Sequence, residues 1–300
     1  MDLLAVILVD GLIYGAWLFI VSVGLTLVFG VLNVLNIAHG SLYAIGAYTT
    51  ASAVGLYFAH GGDGFPLGSY AVMVLAAALV AVVVGPILER GLLRYFYGRG
   101  EVVIVLVTYG VFLILEDVMK LVWGVDPYFV SQPYALLGNI ELGPLVYVAY
   151  DFLVIAVAIA VGLLVWFVLN RTRKGKIVLA VIHDREMSET MGVNVRRVFV
   201  VSFSAGVFLA ALGGAITAPM ISVTPGLGVS VIITAFAVVI IGGLGSIEGA
   251  AIGAVLVGIA RAASVHLMPE AELFIIYLVM AVVLLFRPEG LFQKIQARKI

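Results

Sequence analysis

With 300 residues, 64% of them hydrophobic and 11% charged, and a mean hydropathy of +1.23, this chain has too little polar side chain to wrap a soluble domain. The absence of cysteine excludes disulfides and thiolate metal sites. The net charge of −1 is uninformative as a total, and only the distribution of charge along the chain carries information.

Apolar runs of about 20 residues recur along the chain, each able to cross roughly 30 Å of hydrocarbon. None alternates polar and apolar residues as a membrane barrel strand would. The expectation is an all-α polytopic membrane protein, one transmembrane domain over 1–300, with about 8–10 helices and two broken or half-membrane segments. The start, MDLLAVILVDG, lacks the basic n-region and small-residue cleavage site of a signal peptide and reads as the first membrane segment. In chain order the apolar segments are 4–30, 41–58, 67–88, 102–123, 145–169, 198–221, 229–244, 247–266 and 271–286. Gly, Pro and Asp mark short loops between several of them, and the prolines of GVDPYFVSQPYALLGNIELGP keep that longer stretch from continuing as helix.

The basic residues fall in three places: Arg90, Arg94 and Arg99; Arg171, Arg173, Lys174, Lys176, Arg185, Arg196 and Arg197; and Arg287, Lys294, Arg298 and Lys299. The loops at 59–66, 124–144, 222–228 and 267–270 contain no Lys or Arg. The positive-inside rule therefore predicts an outer N-terminus and a cytoplasmic C-terminus.

Two junctions break the apolar pattern. The first, NVLNIAHG, puts Asn33, Asn36, His39 and Gly40 between two membrane segments. Continued as helix, Asn36, His39, Gly40, Tyr43 and Ala47 would share one face. The second holds Gly243, Gly245 and Ser246. Residues 36–47 and 245–256 align when Gly40 is set on Gly249, and each window reads as a polar residue, a glycine and a small-residue helix, the pattern of an inverted repeat. Transporters pass substrate where paired helices are interrupted, and irregular backbone at membrane depth survives only inside protein or beside a watery cavity. Asn33, Asn36, His39, Gly40, Tyr43, Gly243, Gly245 and Ser246 are therefore candidates to line a translocation path. Interhelical contact, or capping by Asn36, is the competing reading.

Residues 171–197 form the longest basic stretch. Within it KIVLAVIHDREMSETMG reads as a short amphipathic helix ended by Gly192. It is either a solvated loop beside anionic head groups or a docking element for a soluble partner, and its mixed apolar and charged character favours docking. The chain has no phosphate-binding loop, H-E-x-x-H or G-x-S-x-G, and the four histidines are scattered. Chemistry of its own, a resident cofactor and nucleic-acid binding are not expected.

NIAHGSLYAIGAY, the pair Glu89–Arg90, TRKGK, Asp184, MGVN, AFAVVIIGGLGSIEGAAIG and RPEGLF together resemble the membrane subunits of branched-chain amino acid ABC importers, the H-type permease of the Liv system, over nearly the whole chain. The resemblance implies a bacterial inner-membrane complex. This subunit would pair with an M-type permease above two cytoplasmic ATP-binding subunits, which carry the ATP and Mg, and a periplasmic binding protein would deliver the substrate. It also implies that Arg173, Gly175, Asp184, Met191, Gly192 and Asn194 engage the ATPase. The same scaffold serves urea, short amides and aromatic acids, and an ion-coupled secondary transporter is the more distant alternative. Departures from the family pattern are Glu116 and Asp117 where Gln and Asn are common, Glu248 in place of proline, and Arg261 where an acid is common. Pairing of Glu116 with Lys120 at i+4, and of Glu248 with Arg261, would neutralise these charges.

Overall fold

The computed structural model describes residues 2–143 and 145–292. The basic tail residues Lys294, Arg298 and Lys299 lie outside the described residues. Helices follow in the order α1 (Asp2–Leu32), α2 (His39–Ala59), α3 (Gly68–Gly91), α4 (Glu101–Trp123) and a single turn, α5 (Gln132–Ala135). A hairpin of β1 (Asn139–Leu142) and β2 (Leu145–Val148) precedes α6 (Ala149–Arg171). Then come α7 (Arg173–His183), α8 (Arg185–Thr190), α9 (Val195–Thr217), α10 (Leu227–Gly242), α11 (Ile247–Leu267) and α12 (Glu272–Phe286).

Each of the nine apolar segments corresponds to a helix, and the protein is an all-α polytopic membrane protein. Among the described residues, six helices are long and apolar enough to cross a membrane, and two shorter apolar ones, Leu227–Gly242 and Phe274–Phe286, accompany them. α2 is also long enough, yet it carries Thr49, Thr50 and Ser52 and has protein on most sides, with thirteen of its residues buried. A helix enclosed by other helices does not need an apolar face toward lipid.

One boundary differs from the sequence-based expectation. Residues 145–148, expected as the start of a membrane helix, form β2 instead, antiparallel to β1 with Leu142 opposite Leu145. The β-branched and aromatic residues of LVYV find strand partners in NIEL across a turn whose Gly143 has φ +65°. Tyr134, just before the hairpin, donates to Asp151 at 3.2 Å, and burial together with that carboxylate pushes its phenol up to about 12.

Lipid offers no hydrophobic drive to bring helices together, so close packing must hold them. α1 meets α11 along a seam of small residues: Gly11 lies on the backbone of Ile259, Gly15 on the carbonyl of Ala254, and Gly258 on the carbonyl of Gly11. α2 meets α9 in the same way, Gly46 against Ala211 and Gly214 against the carbonyl of Tyr43. Gly40 meets Gly228 at the start of α10, and Gly249 meets Gly242 at its end. The two glycines that align in the sequence thus pack on opposite ends of one 16-residue helix.

A side chain at Gly46 or Gly214 would meet backbone rather than a yielding side chain, so the helices must separate. Overpacking of this kind costs about 1–3 kcal/mol or more. Gly46→Leu and Gly214→Leu are expected to lower the melting temperature of the detergent-purified protein by several degrees or to abolish a monodisperse peak. Gly55→Ala, at an α2 position with open space around it, should leave both unchanged or improve them.

Candidate functional site

The first break begins where α1 stops at Asn33, the single described non-glycine residue with positive φ (+56°). Asparagine tolerates this conformation better than most residues, and the chain turns there. Residues 33–38 run as irregular backbone, held by Thr108, whose Oγ1 accepts from the Ile37 amide at 3.3 Å and donates to the Leu35 carbonyl at 3.2 Å. α2 then starts at His39, so Asn36 lies in the break and not on the helical face drawn from the sequence. It does not cap α2 by its side chain either, although its carbonyl accepts from the His39 amide.

His39 is fully buried, and its Nε2 lies 3.0 Å from the carbonyl of Val21 on α1. A carbonyl only accepts, so Nε2 carries the proton. Asn36 and Gly40 are enclosed among helices in the same way. Tyr43 is different. Its hydroxyl is 2.5 Å from Thr217 Oγ1 at the end of α9, and Thr217 in turn donates to the carbonyl of Gly213 at 2.9 Å. Thr217 has one proton, so Tyr43 is the donor to it. This pair forms the floor of a cavity of about 570 Å³ that also reaches Tyr14, Trp17, Ser230, Arg261 and Glu272.

Beside that cavity a buried carboxylate holds the start of α10. Glu116 Oε2 accepts from the Gly226 amide at 3.2 Å, and Oε1 from Ser41 Oγ on α2 at 3.4 Å. Gly226 is the N-cap of α10, so the carboxylate sits where the helix dipole is positive. This replaces the expected pairing with Lys120, which lies 3.1 Å from the exposed Asp117 instead. The expected pairing of Glu248 with Arg261 is absent as well. Both are on α11, thirteen residues or about 20 Å apart, and Arg261 pairs with Glu272 of α12 at 2.5 Å.

The second break lies between α10 and α11. Gly243 and Gly245 take φ values of +102° and +81°, which only glycine adopts readily. Ser246 caps α11, its Oγ accepting from the Gly249 amide at 3.0 Å. The RPEGLF segment closes this break from outside: the amides of Leu291 and Phe292 donate to the carbonyls of Ile241 and Gly242. Those carbonyls end α10 and would otherwise lack partners. The path candidates therefore separate. Tyr43 faces the large cavity, Asn33 lies beside a smaller one of about 220 Å³ near Tyr97 and Arg185, Asn36, His39 and Gly40 sit between helices, and Gly243, Gly245 and Ser246 pack at the second break.

The basic segment is two helices, not one. Asp184 ends α7 and caps α8, its Oδ1 accepting from the Met187 amide at 2.8 Å. An aspartate that caps so well stops the longer helix predicted from periodicity. Thr172 Oγ1 caps α7 through the Gly175 amide and donates to the Val168 carbonyl of α6, while Gly175 packs on that same turn of α6. Gly192, with φ +84°, ends α8, and Asn194 Oδ1 caps α9 through the Arg197 amide at 3.0 Å. Met187 and Met191 are left exposed between these caps, and Arg173 is exposed at the start of α7. Arg185 lies over the ring of Phe199, in a cavity of about 610 Å³ that brings the 90–99 loop beside this segment.

Sequence reasoning missed Thr217, Tyr14 and Glu272. Arg261 carried a usable signal: an arginine inside an apolar span is expensive and marks a functional position by default.

The sequence profile of the family described as "Branched-chain amino acid transport system / permease component" matches residues 7–284. The chain is 29% identical to the high-affinity branched-chain amino acid transport system permease protein BraD of Pseudomonas aeruginosa, over 98% of this chain and 97% of that protein. It is 25% identical to the permease protein LivH of Escherichia coli strain K12, over 97% and 96% respectively. The ribose import permease protein RbsC of Haemophilus influenzae is also 25% identical, over 80% of this chain and 71% of its own length. Matched along nearly all of its length, the chain belongs to the branched-chain amino acid transport permease family.

Proposed function

We propose that this permease subunit carries branched-chain amino acids in an ATP-driven importer. The full-length match to the branched-chain permeases carries the reading. ATP and Mg are bound on two separate cytoplasmic subunits, a second permease of M-type pairs with this chain, and a periplasmic binding protein supplies the substrate. The membrane is the bacterial inner membrane. The basic loops at 90–99 and 171–197 lie in the cytoplasm, which puts the N-terminus in the periplasm and the C-terminus in the cytoplasm.

In this reading α8 is the docking element. Its exposed Met187 and Met191, flanked by Arg185 and Glu189, offer an apolar contact with a charged rim. Movement of α8 passes to the membrane through two caps, Thr172 onto α6 and Asn194 onto α9. α9 runs unbroken from Asn194 to Thr217, the partner of Tyr43. One rigid rod thus joins the docking element to the floor of the large cavity. The functional consequence is mechanical coupling between ATPase closure and access to that cavity.

Reconstituted with its partner subunits, the chain is expected to support ATP-dependent uptake of L-leucine, L-isoleucine or L-valine. Uptake of urea, a short amide or an aromatic acid instead would overturn the substrate. Uptake by the chain alone under an ion gradient would overturn the ATP-driven mechanism.

Asp184→Ala removes a cap worth about 0.5–2 kcal/mol, and Gly192→Ala forces a left-handed conformation costing about 1–2 kcal/mol. Each should lower uptake at least several-fold while ATP hydrolysis continues; normal coupled uptake in both sinks the docking role of α8.

The chain has no cysteine, so orientation can be tested with single substitutions. Asp63→Cys should react with a membrane-impermeant maleimide in intact cells, and Lys174→Cys only after permeabilisation. The opposite pattern would invert the topology.

A further inference from the structure

The cavity above Tyr43 holds one cation and one anion, both on its wall and each about one-third exposed. There Arg261 of α11 and Glu272 of α12 pair directly with each other. The guanidinium also lies 4.0 Å over the ring of Tyr14. Trp17 and Ile276 supply apolar wall, and Ser230 lies at the lining of α10. A volume of about 570 Å³ is within the usual range for small-molecule sites of roughly 300–1,000 Å³. The cavity lies toward the loops at 222–228 and 267–270, which contain no Lys or Arg, and away from the docking segment.

We propose that this cavity is a receiving site for a free zwitterionic amino acid, with Arg261 taking its α-carboxylate and Glu272 its α-ammonium. This assignment rests on the permease reading and deepens it by giving the substrate a place on this chain. Charge balance selects the zwitterion. With the site empty, the two charges satisfy each other. A monoanion would occupy Arg261 and leave Glu272 without a counter-charge, and a monocation would do the reverse. An uncompensated charge in a partly desolvated wall is costly. A zwitterion inserts between the two and leaves every charge paired. The planar guanidinium has five donors in a fixed fork, so it can bind a carboxylate with two hydrogen bonds while still stacked on Tyr14. Trp17, in the same lining, offers an aromatic surface for an apolar side chain. The hydrogen-bonded Tyr43 and Thr217 close the floor of the site.

The test uses the assembled transporter in lipid nanodiscs with Ser230→Cys as its sole cysteine in this chain. Labelling by a water-soluble maleimide should be slowed several-fold by L-leucine. It should be slowed far less by 4-methylpentanoate, which lacks the ammonium, or by isoamylamine, which lacks the carboxylate. Adding Arg261→Gln or Glu272→Gln should remove the protection by L-leucine. Arg261→Lys should retain part of it, which separates loss of the charge from loss of the fold. The proposal is overturned if L-leucine protects the Arg261→Gln form as well as the parent. It is equally overturned if 4-methylpentanoate protects as well as L-leucine, or if labelling follows lipid composition alone. Absence of protection in a transporter that still takes up L-leucine defeats this site and leaves the importer reading standing. Failure to take up any amino acid defeats the importer reading instead.

Discussion

Irregular backbone and polar side chains at membrane depth must be covered by protein, because hydrocarbon supplies no hydrogen bonds. In this fold that demand falls on the first break and on α2, which follows it directly. α2 meets α9 and α10 through Gly40, Gly46, Gly214 and Gly228, where backbone touches backbone. Such contact is possible only where both surfaces lack a bulky side chain. It brings His39 within reach of the Val21 carbonyl and Tyr43 within reach of Thr217. The positions of the break, the cavity floor and the start of α10 all follow from this packing.

Electrostatic satisfaction follows the same geometry. Glu116 is acceptable in the interior because α10 begins against it, so the carboxylate meets the Gly226 amide and a helix N-terminus rather than a cation. A short helix that starts inside the protein needs such a partner for its free amides. At its other end the carbonyls of Ile241 and Gly242 are met by the 291–292 amides. α10 is therefore held at one end by α2 and α4 and at the other by the RPEGLF segment. These two junctions explain why it can be only 16 residues long and still be fixed in place.

The 171–197 segment and the cavity floored by Tyr43 and Thr217 lie toward opposite ends of α9, with no break in the helix between them. Side-chain caps at Thr172, Asp184 and Asn194 start α7, α8 and α9 in succession, each accepting from a first-turn amide. The cavity, by contrast, is lined from six helices, α1, α2 and α9 meeting the consecutive α10, α11 and α12. Arg261 and Glu272 sit on different helices, so their spacing is set by how α11 and α12 pack.

Hydropathy alone located the nine apolar helices, because burial in lipid is a property of local composition. Both breaks were also legible, because clustered glycine and polar residues are costly in an unbroken helix that faces lipid. The positive φ of Asn33 at the first break and of Gly243 and Gly245 at the second agrees with that reading. The split at Asp184 was not legible as such, since periodicity runs through it and only cap geometry decides between one helix and two. The strand at 145–148 was hidden for a related reason: LVYV is as apolar as a helix start, and its partner NIEL had to be in register to claim it. Charge pairing was misread where sequence spacing stood in for distance. Lys120 chose Asp117 over Glu116 because Glu116 turns inward to α10, and Arg261 chose Glu272 across a helix–helix contact. What the sequence determined by itself was the class of protein, its helices and its interruptions, all set by short-range composition. The tertiary structure decided which polar groups meet, because those partners come from helices up to 256 residues apart, as with Asp10 and His266, and are chosen by packing.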